Sequence, residues 1–148
     1  MNYFAYGSNM NLERITGRSV NVKKREAAVL EGYRLEFNKV ASRNEREGYA
    51  NIVKDENGVV EGILYVISEE DLEKLDKEEA CPNHYRREKV IVRLKDGREV
   101  EAITYIANPE RVRGGLKPTR EYLNHLLAGR EFLSDSYYAF LESQETLD

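Results

Sequence analysis

The residues best suited to chemistry lie in the N-terminal segment YFAYGSN, at positions 3–9. Its aromatic run predicts a short strand that ends at Gly7, a residue that can adopt backbone angles closed to others. A short helix would follow, capped by Asn9 or Asn11. The N–H groups of such a turn point into one concavity, where they suit a carboxylate or a developing oxyanion. An ordinary turn that caps a helix explains the same residues equally well, so both interpretations stay open.

A predicted helix in the middle of the chain carries the second candidate group. It begins at Ser68, which has a capping-box spacing to Asp71, and it must end before Pro82. Leu72 and Leu75 form its apolar face. The last turn of this helix therefore falls on a pair of glutamates that precede the proline.

Of these two glutamates, Glu79 is the one predicted to face inward. At about 100° per residue, Glu79 falls within roughly 10° of the midpoint of the two leucines, and Glu78 falls roughly 90° away. A carboxylate on an apolar stripe is costly unless it is paired, so an inward glutamate is a candidate functional group. The alternative is a solvated helix end, which suits a chain with 27 acidic residues.

Other catalytic combinations have less support. Cys81 and His84 are close in sequence, but the proline between them and the lack of further partners favour a loop. Asp76 and Glu79 share one helix, whereas glycosidase carboxylates normally flank a cleft from separate elements. Ser8 lies outside any GxSxG elbow, so a serine hydrolase is also disfavoured.

Composition excludes several classes of protein. The 148 residues include one cysteine and two histidines, which leaves no intramolecular disulfide and no CxxC or HExxH metal site. Glycines at GxGxxG or Walker spacing are missing, so no nucleotide cofactor is expected. The net charge of −4 without a basic cluster disfavours nucleic acid. With no bilayer-length apolar run and no signal peptide pattern, we expect a single cytoplasmic domain over 1–148 that needs no metal or cofactor.

The remaining elements predict the fold class. Asn57-Gly58 and Asp96-Gly97 each lie between strand-like segments and predict hairpins. Further helices are expected from Thr119 and from Ser134 or Asp135. About six strands joined mostly by hairpins, with a few helices, indicate an α+β protein. We expect a curved, mostly antiparallel sheet or a small β-barrel with flanking helices.

The segment at 3–9 resembles the YGSN signature of the γ-glutamylcyclotransferase family, which includes the AIG2-like proteins. The resemblance continues in the family's order through further blocks. These are ERI at 13–15 with Arg18, GYANI at 48–52, VEGILY at 60–65, LDKEE at 75–79 and PTREY at 118–122. Together they cover nearly the whole chain.

The resemblance implies roles for particular residues. The family places its catalytic glutamate in an LDxxEG pattern at a helix end, and LDKEEA at 75–80 selects Glu79. Ala80 replaces the glycine of that pattern, which would impose strain if the position needs a left-handed backbone. Tyr85 follows Glu79 at a distance similar to that of an aromatic residue in relatives. The residues implied to bind substrate are Tyr3, Phe4, Ala5, Tyr6, Gly7, Ser8, Asn9 and Tyr122.

The implied activity is release of 5-oxoproline and a free amine or amino acid from a γ-glutamyl compound. The substrate's own α-amine attacks its γ-carbonyl, and Glu79 acts as general acid and base. No metal, cofactor or enzyme nucleophile is needed, and the partner is a small γ-glutamyl molecule whose leaving group stays open. Alternatives are a non-catalytic small-molecule-binding module that retains the γ-glutamyl pocket, and a dimerising scaffold without a ligand. A homodimer is compatible with each of these functions.

Overall fold

A closed barrel of five strands forms the centre of the computed structural model, which describes all 148 residues. The strand order is β1-β3-β2-β4-β5, and every pairing is antiparallel except the parallel contact of β1 with β5. The strands are β1 (Asn2–Ala5), β2 (Lys24–Ala41), β3 (Asn44–Val66), β4 (Tyr85–Leu94) and β5 (Glu99–Ala107). The predicted α+β class with a small barrel is confirmed, although the barrel has five strands where about six were expected.

The strand count is lower than expected because β2 and β3 are each one long continuous strand, where the sequence pattern predicts two shorter ones. The hairpin predicted at Asn57-Gly58 is wrong. Glu31 pairs with Val59 and Tyr33 pairs with Lys54, so residues 55–58 bulge out of a continuous β3 opposite Gly32. Both flanking segments pair with β2 rather than with each other. The true turn of this long hairpin falls between β2 and β3.

The second predicted hairpin is confirmed. Residues 95–98 join β4 to β5, and Gly97 adopts φ +88°, the left-handed conformation that favours glycine in such turns.

Four helices surround the barrel, and each begins at a side-chain cap. They are α1 (Leu12–Gly17), α2 (Glu69–Glu78), α3 (Arg120–Leu127) and α4 (Asp135–Glu142). The caps are Asn11, Ser68, Thr119 and Ser134, whose side chains accept N–H groups of the first turn. These starts agree with the sequence prediction. None of the helices combines the length and the apolar character that crossing a membrane requires.

The end of α2 is anchored to two strands by one carboxylate. Asp76 accepts hydrogen bonds from Arg87 Nε at 2.9 Å and Nη2 at 2.8 Å, and from the Tyr105 hydroxyl at 2.6 Å. Arg87 belongs to β4 and Tyr105 to β5. Leu72 and Leu75 of the same helix are fully buried in the core. The last turn of α2 is therefore fixed on the barrel just before Glu79.

Ala80, the residue that follows Glu79, adopts a left-handed backbone conformation with φ +49°. The strain expected from an alanine in the family's glycine position is therefore present in the backbone. A left-handed residue other than glycine costs about 1–2 kcal/mol, and glycine gives back part of this through greater freedom when unfolded.

We expect Ala80→Gly to raise the free energy of unfolding by about 0.5–1 kcal/mol, measured by urea denaturation. The matched control is Ala128→Gly, because Ala128 is exposed at the C-cap of α3 with right-handed angles. That substitution should lower stability by about 0.5–1 kcal/mol. A loss of stability in both variants would contradict the strain at Ala80.

Candidate active site

A cavity of about 260 Å³ opens where the N-terminal turn, α1 and the end of α2 meet the barrel. Seven of the nine residues predicted for the site line it: Tyr3, Tyr6, Gly7, Ser8, Asn9, Glu79 and Tyr122. Tyr85 lines it as well. The structure thus brings the N-terminal turn and the helix-end glutamate, 70 residues apart in sequence, to one enclosed space.

Phe4 and Ala5 do not line the cavity, and their contact with a ligand stays a prediction. Both are buried in the core of the barrel. Successive side chains of a strand point to opposite faces, which turns Phe4 away from the face that Tyr3 presents. The carbonyl of Phe4 accepts a hydrogen bond from Thr104, so its backbone is also engaged within the barrel.

Gly7 combines an uncommon backbone conformation with little room for a side chain. Its φ of −114° and ψ of −139° lie outside both the helical and the extended regions, which agrees with the expectation from the sequence. A Cβ at this position would lie 3.3 Å from the Ala50 Cβ and 3.6 Å from the Tyr122 hydroxyl. A side chain here would therefore crowd the wall of the cavity.

The turn after Gly7 offers free N–H groups beside the cavity. Residues Ser8–Met10 form a single 3₁₀ turn, whose first internal bond runs from the Met10 N–H to the Gly7 carbonyl. The N–H groups before that bond have no partner inside the turn. They belong to residues that line the cavity, as an anion-binding turn would require.

Glu79 is the C-cap of α2, one residue beyond the helix. Its side chain is 20% exposed, and Oε1 lies 3.9 Å from Nη1 of Arg18. Burial raises the pKa of the Glu79 carboxyl above its ordinary value of 4.5, while the positive charges of Arg18, Lys39 and Arg14 lower it. The balance leaves the pKa raised, so this carboxylate binds a proton more strongly than a solvated one.

Arg18 links the two halves of the site. Its Nη1 donates to Asn9 Oδ1 at 2.9 Å, and Asn9 Nδ2 donates to the Tyr3 hydroxyl at 3.0 Å. Its Nε lies 3.8 Å from a carboxylate oxygen of Glu78, which is more exposed than Glu79. Arg18 thereby holds the N-terminal turn against the end of α2.

Tyrosine side chains form much of the remaining wall around Ala50. The Tyr122 hydroxyl accepts the Ala50 N–H at 3.1 Å, and the Tyr85 hydroxyl donates to the Ala50 carbonyl at 2.9 Å. The rings of Tyr49 and Tyr122 pack at 5.0 Å between centroids. The Tyr6 hydroxyl donates to the Tyr105 carbonyl at 2.5 Å.

The other catalytic combinations lack the geometry they need. Asp76 is fully engaged by Arg87 and Tyr105 outside the cavity, so it forms no carboxylate pair with Glu79. Cys81 does not line the cavity. The Ser8 hydroxyl accepts a hydrogen bond from Arg14 Nε at 3.1 Å and has no histidine as base.

Three cationic side chains that line the cavity had no role predicted from the sequence: Arg14, Arg18 and Lys39. Arg14 and Arg18 fall in blocks of the family resemblance, which was the available signal for them. Lys39 carried no such signal. A register shift in β2 between Glu36 and Lys39 leaves three successive residues, 37–39, buried, and period-two alternation cannot anticipate this.

Comparisons with known proteins agree with this architecture. The family model described as "Gamma-glutamyl cyclotransferase, AIG2-like" matches residues 3–124. A bovine (Bos taurus) gamma-glutamylcyclotransferase is 29% identical over 107 residues, which are 70% of this chain and 57% of the bovine protein. This chain therefore matches little more than half the length of that relative.

Solved structures show the same fold. A gamma-glutamyl cyclotransferase aligns with a TM-score of 0.88 at 25% identity, over 100% of this chain and 89% of that one. The Bacillus subtilis protein YkqA aligns with a TM-score of 0.84 at 27% identity, over 99% of this chain and 55% of that one. A yeast cyclotransferase specific to glutathione, at 15% identity and a TM-score of 0.65 over 95% and 93% of the two chains, shares the fold alone.

The contact between Arg18 and Glu79 predicts a measurable change in pKa. We expect Arg18→Gln to raise the pKa of the Glu79 carboxyl further, because the largest charge that favours its ionised form is removed. NMR titration of carbon-13-labelled glutamate side chains measures this pKa directly. Arg34→Gln, at an exposed arginine that pairs with Glu36, should leave it unchanged. An unchanged titration of Glu79 in Arg18→Gln would contradict the electrostatic description of the site.

Proposed function

The chain belongs to the AIG2-like gamma-glutamyl cyclotransferase family, and from this premise we propose that it is an enzyme releasing 5-oxoproline from a γ-glutamyl compound. Family membership confirms the resemblance found in the sequence. The observation that carries the proposal is the position of Glu79. Its partly buried carboxyl shares one small cavity with the N-terminal turn and three cationic side chains.

The reaction needs no group beyond the substrate and one proton carrier. The α-amine nitrogen forms a bond to the γ-carbonyl carbon, and the bond from that carbon to the leaving nitrogen breaks. One proton leaves the α-ammonium before attack and joins the leaving nitrogen as it departs. The attacking nitrogen loses its second proton to solvent as the ring closes, and the released amine takes up one proton from solvent. The products are 5-oxoproline and a free amine or amino acid.

Glu79 is proposed to carry this proton in both steps. As a carboxylate it accepts the proton of the α-amine, and as a carboxylic acid it delivers the proton to the leaving nitrogen. Its raised pKa favours the first transfer because a stronger base accepts the proton more readily. The second transfer needs the same atom close to the leaving group, which a cavity of this size enforces.

The cavity walls would provide the remaining stabilisation. Ring closure turns the γ-carbonyl into a tetrahedral oxyanion, and we propose that backbone N–H groups near Gly7 and Ser8 donate to it. The substrate's α-carboxylate would lie near Arg14 and Arg18. Tyr3, Tyr6, Asn9 and Tyr122 would shape the space that folds the glutamyl chain into its attack conformation.

The central test is removal of the proposed proton carrier. Incubation with a panel of γ-glutamyl amino acids and γ-glutamyl amines should yield 5-oxoproline with the wild-type protein. Glu79→Gln should lower kcat/KM by about a hundredfold or more, because the amide cannot accept a proton. The product is quantified by chromatography, and circular dichroism checks folding.

Glu73→Gln is the matched control, since Glu73 is an exposed residue of the same helix. It should retain wild-type activity. Equal product release by Glu79→Gln and the wild type would overturn the role of Glu79. If the folded wild type releases nothing from any substrate of the panel, the non-catalytic binding module takes the place of the enzyme.

The pH dependence follows from the same carboxyl. Because the general base must be ionised in the free enzyme, kcat/KM should fall as pH falls through the pKa of Glu79, above its ordinary 4.5. In Arg18→Gln this acid limb should move to higher pH, since Arg18 favours the ionised form. A limb at the same pH in both proteins would show that another group controls it.

A further inference from the structure

Lys39 is a buried cation of the cavity that has no anionic partner. The residue is 3% exposed, and its ammonium forms one hydrogen bond, to Nδ1 of His84 at 2.8 Å. It takes part in none of the ion pairs of the structure, so no carboxylate oxygen lies within 4 Å of it. Buried charges are normally paired, because an unpaired one loses its hydration without compensation.

The surroundings of Lys39 place no carboxylate in direct contact with its ammonium. The rings of Tyr49 and Tyr85 lie 5.6 Å from its nitrogen, close enough for cation–π contact. A bridge between Lys39 and Val112 brings the neighbouring Arg111 close, and Nε of Arg111 is itself buried without a hydrogen-bond partner. These contacts hold the ammonium in place while adding a second positive charge.

His84 acts as a neutral support for this ammonium. Its Nδ1 accepts the hydrogen bond from Lys39, which requires that nitrogen to be unprotonated. Burial and the charges of Lys39 and Arg111 lower the pKa of His84, so the ring stays neutral near pH 7. The lysine is therefore oriented by its neighbours but not neutralised by them.

Lys39, Arg14 and Arg18 line the same cavity as Glu79, but Lys39 shares no hydrogen-bond or ion-pair partner with the two arginines. Arg18 already contacts two carboxylates, and Arg14 contacts Ser8 and His125. A ligand that fills the cavity beside Glu79 thus meets two separate cationic groups, and the one at Lys39 is unpaired.

We propose that Lys39 binds a carboxylate on the leaving half of the substrate and thereby makes the enzyme prefer γ-glutamyl amino acids over γ-glutamyl amines. The proposal rests on the proposed function. With the carboxylate of the glutamyl half near Arg14 and Arg18, Lys39 remains as the cation for the carboxylate of an amino acid leaving group. Lys39 is then a specificity-determining residue, since a leaving amine without a carboxylate leaves its buried charge unpaired.

The test uses two substrates that differ by one carboxylate. γ-Glutamyl-L-alanine and γ-glutamylethylamide have the same glutamyl half, and alanine differs from ethylamine only in its carboxylate. The wild type should show a kcat/KM at least about tenfold higher for γ-glutamyl-L-alanine, as expected for a charge-assisted hydrogen bond. Lys39→Met should bring this ratio close to one, and Lys39→Arg should keep most of it.

Lys89→Met is the matched control, because Lys89 is an exposed lysine of β4 outside the cavity. It should keep the wild-type ratio. If Lys39→Met lowers kcat/KM for both substrates by the same factor, Lys39 acts on the glutamyl half or on the fold, and the proposal is overturned. Thermal unfolding checks that each variant is folded. If Lys39→Met is unfolded, the kcat/KM ratio of the wild type decides: at least about tenfold supports the proposal, and a ratio near one overturns it.

Binding of analogues separates this proposal from the proposed function. Glutaryl-L-alanine and N-ethylglutaramate lack the α-amine, so they cannot cyclise, and calorimetry measures their affinities. If the wild type cyclises both substrates without preference and binds both analogues equally, the proposed role of Lys39 is wrong and the proposed enzymatic function is confirmed. Suppose the wild type cyclises neither substrate but binds glutaryl-L-alanine more tightly than N-ethylglutaramate, and Lys39→Met removes this preference. The proposed enzymatic function is then wrong, and the carboxylate-binding role of Lys39 is confirmed.

Discussion

The structure of the site depends on one balance: a carboxylate partly withdrawn from water beside positive charges that keep it ionisable. Burial disfavours the ionised form of Glu79, whereas the charges of Arg18, Lys39 and Arg14 favour it, and the pKa of the carboxyl stays above its ordinary 4.5. Helix α1 positions Arg14 and Arg18, the end of α2 positions Glu79, and the register shift of β2 positions Lys39. Displacement of any of them changes the proton affinity of the same group.

A second carboxylate outside the cavity maintains this arrangement. Asp76 binds Arg87 of β4 and the Tyr105 hydroxyl, and the Tyr105 carbonyl accepts the hydroxyl of Tyr6 beside the N-terminal turn. This chain of bonds connects the end of α2 to the turn through the backbone of β5. Two neighbouring acidic residues of the LDKEE segment therefore have separate tasks: Asp76 fixes the helix, and Glu79 faces the cavity.

Local patterns in the sequence predicted the site better than they predicted the strands. Leu72 and Leu75 predicted the more buried of the two glutamates: both line the cavity, and the side chain of Glu79 is 20% exposed against 47% for Glu78. The Asn57-Gly58 signal failed because pairing of both flanks with β2 outweighs local turn preference. Lys39 could not be found, since its burial follows from a register shift that only the paired strands define.

The backbone of Ala50 assigns opposite hydrogen-bonding roles to two chemically identical hydroxyls. Tyr122 uses its oxygen to accept the Ala50 N–H, so its own proton stays available to a ligand. Tyr85 gives its proton to the Ala50 carbonyl, so it offers a ligand only lone pairs. Burial raises the pKa of both phenols, and neither ionises to reverse the assignment. The two successive backbone amides that meet at Ala50 thus define where this wall of the cavity can donate a hydrogen bond and where it can accept one.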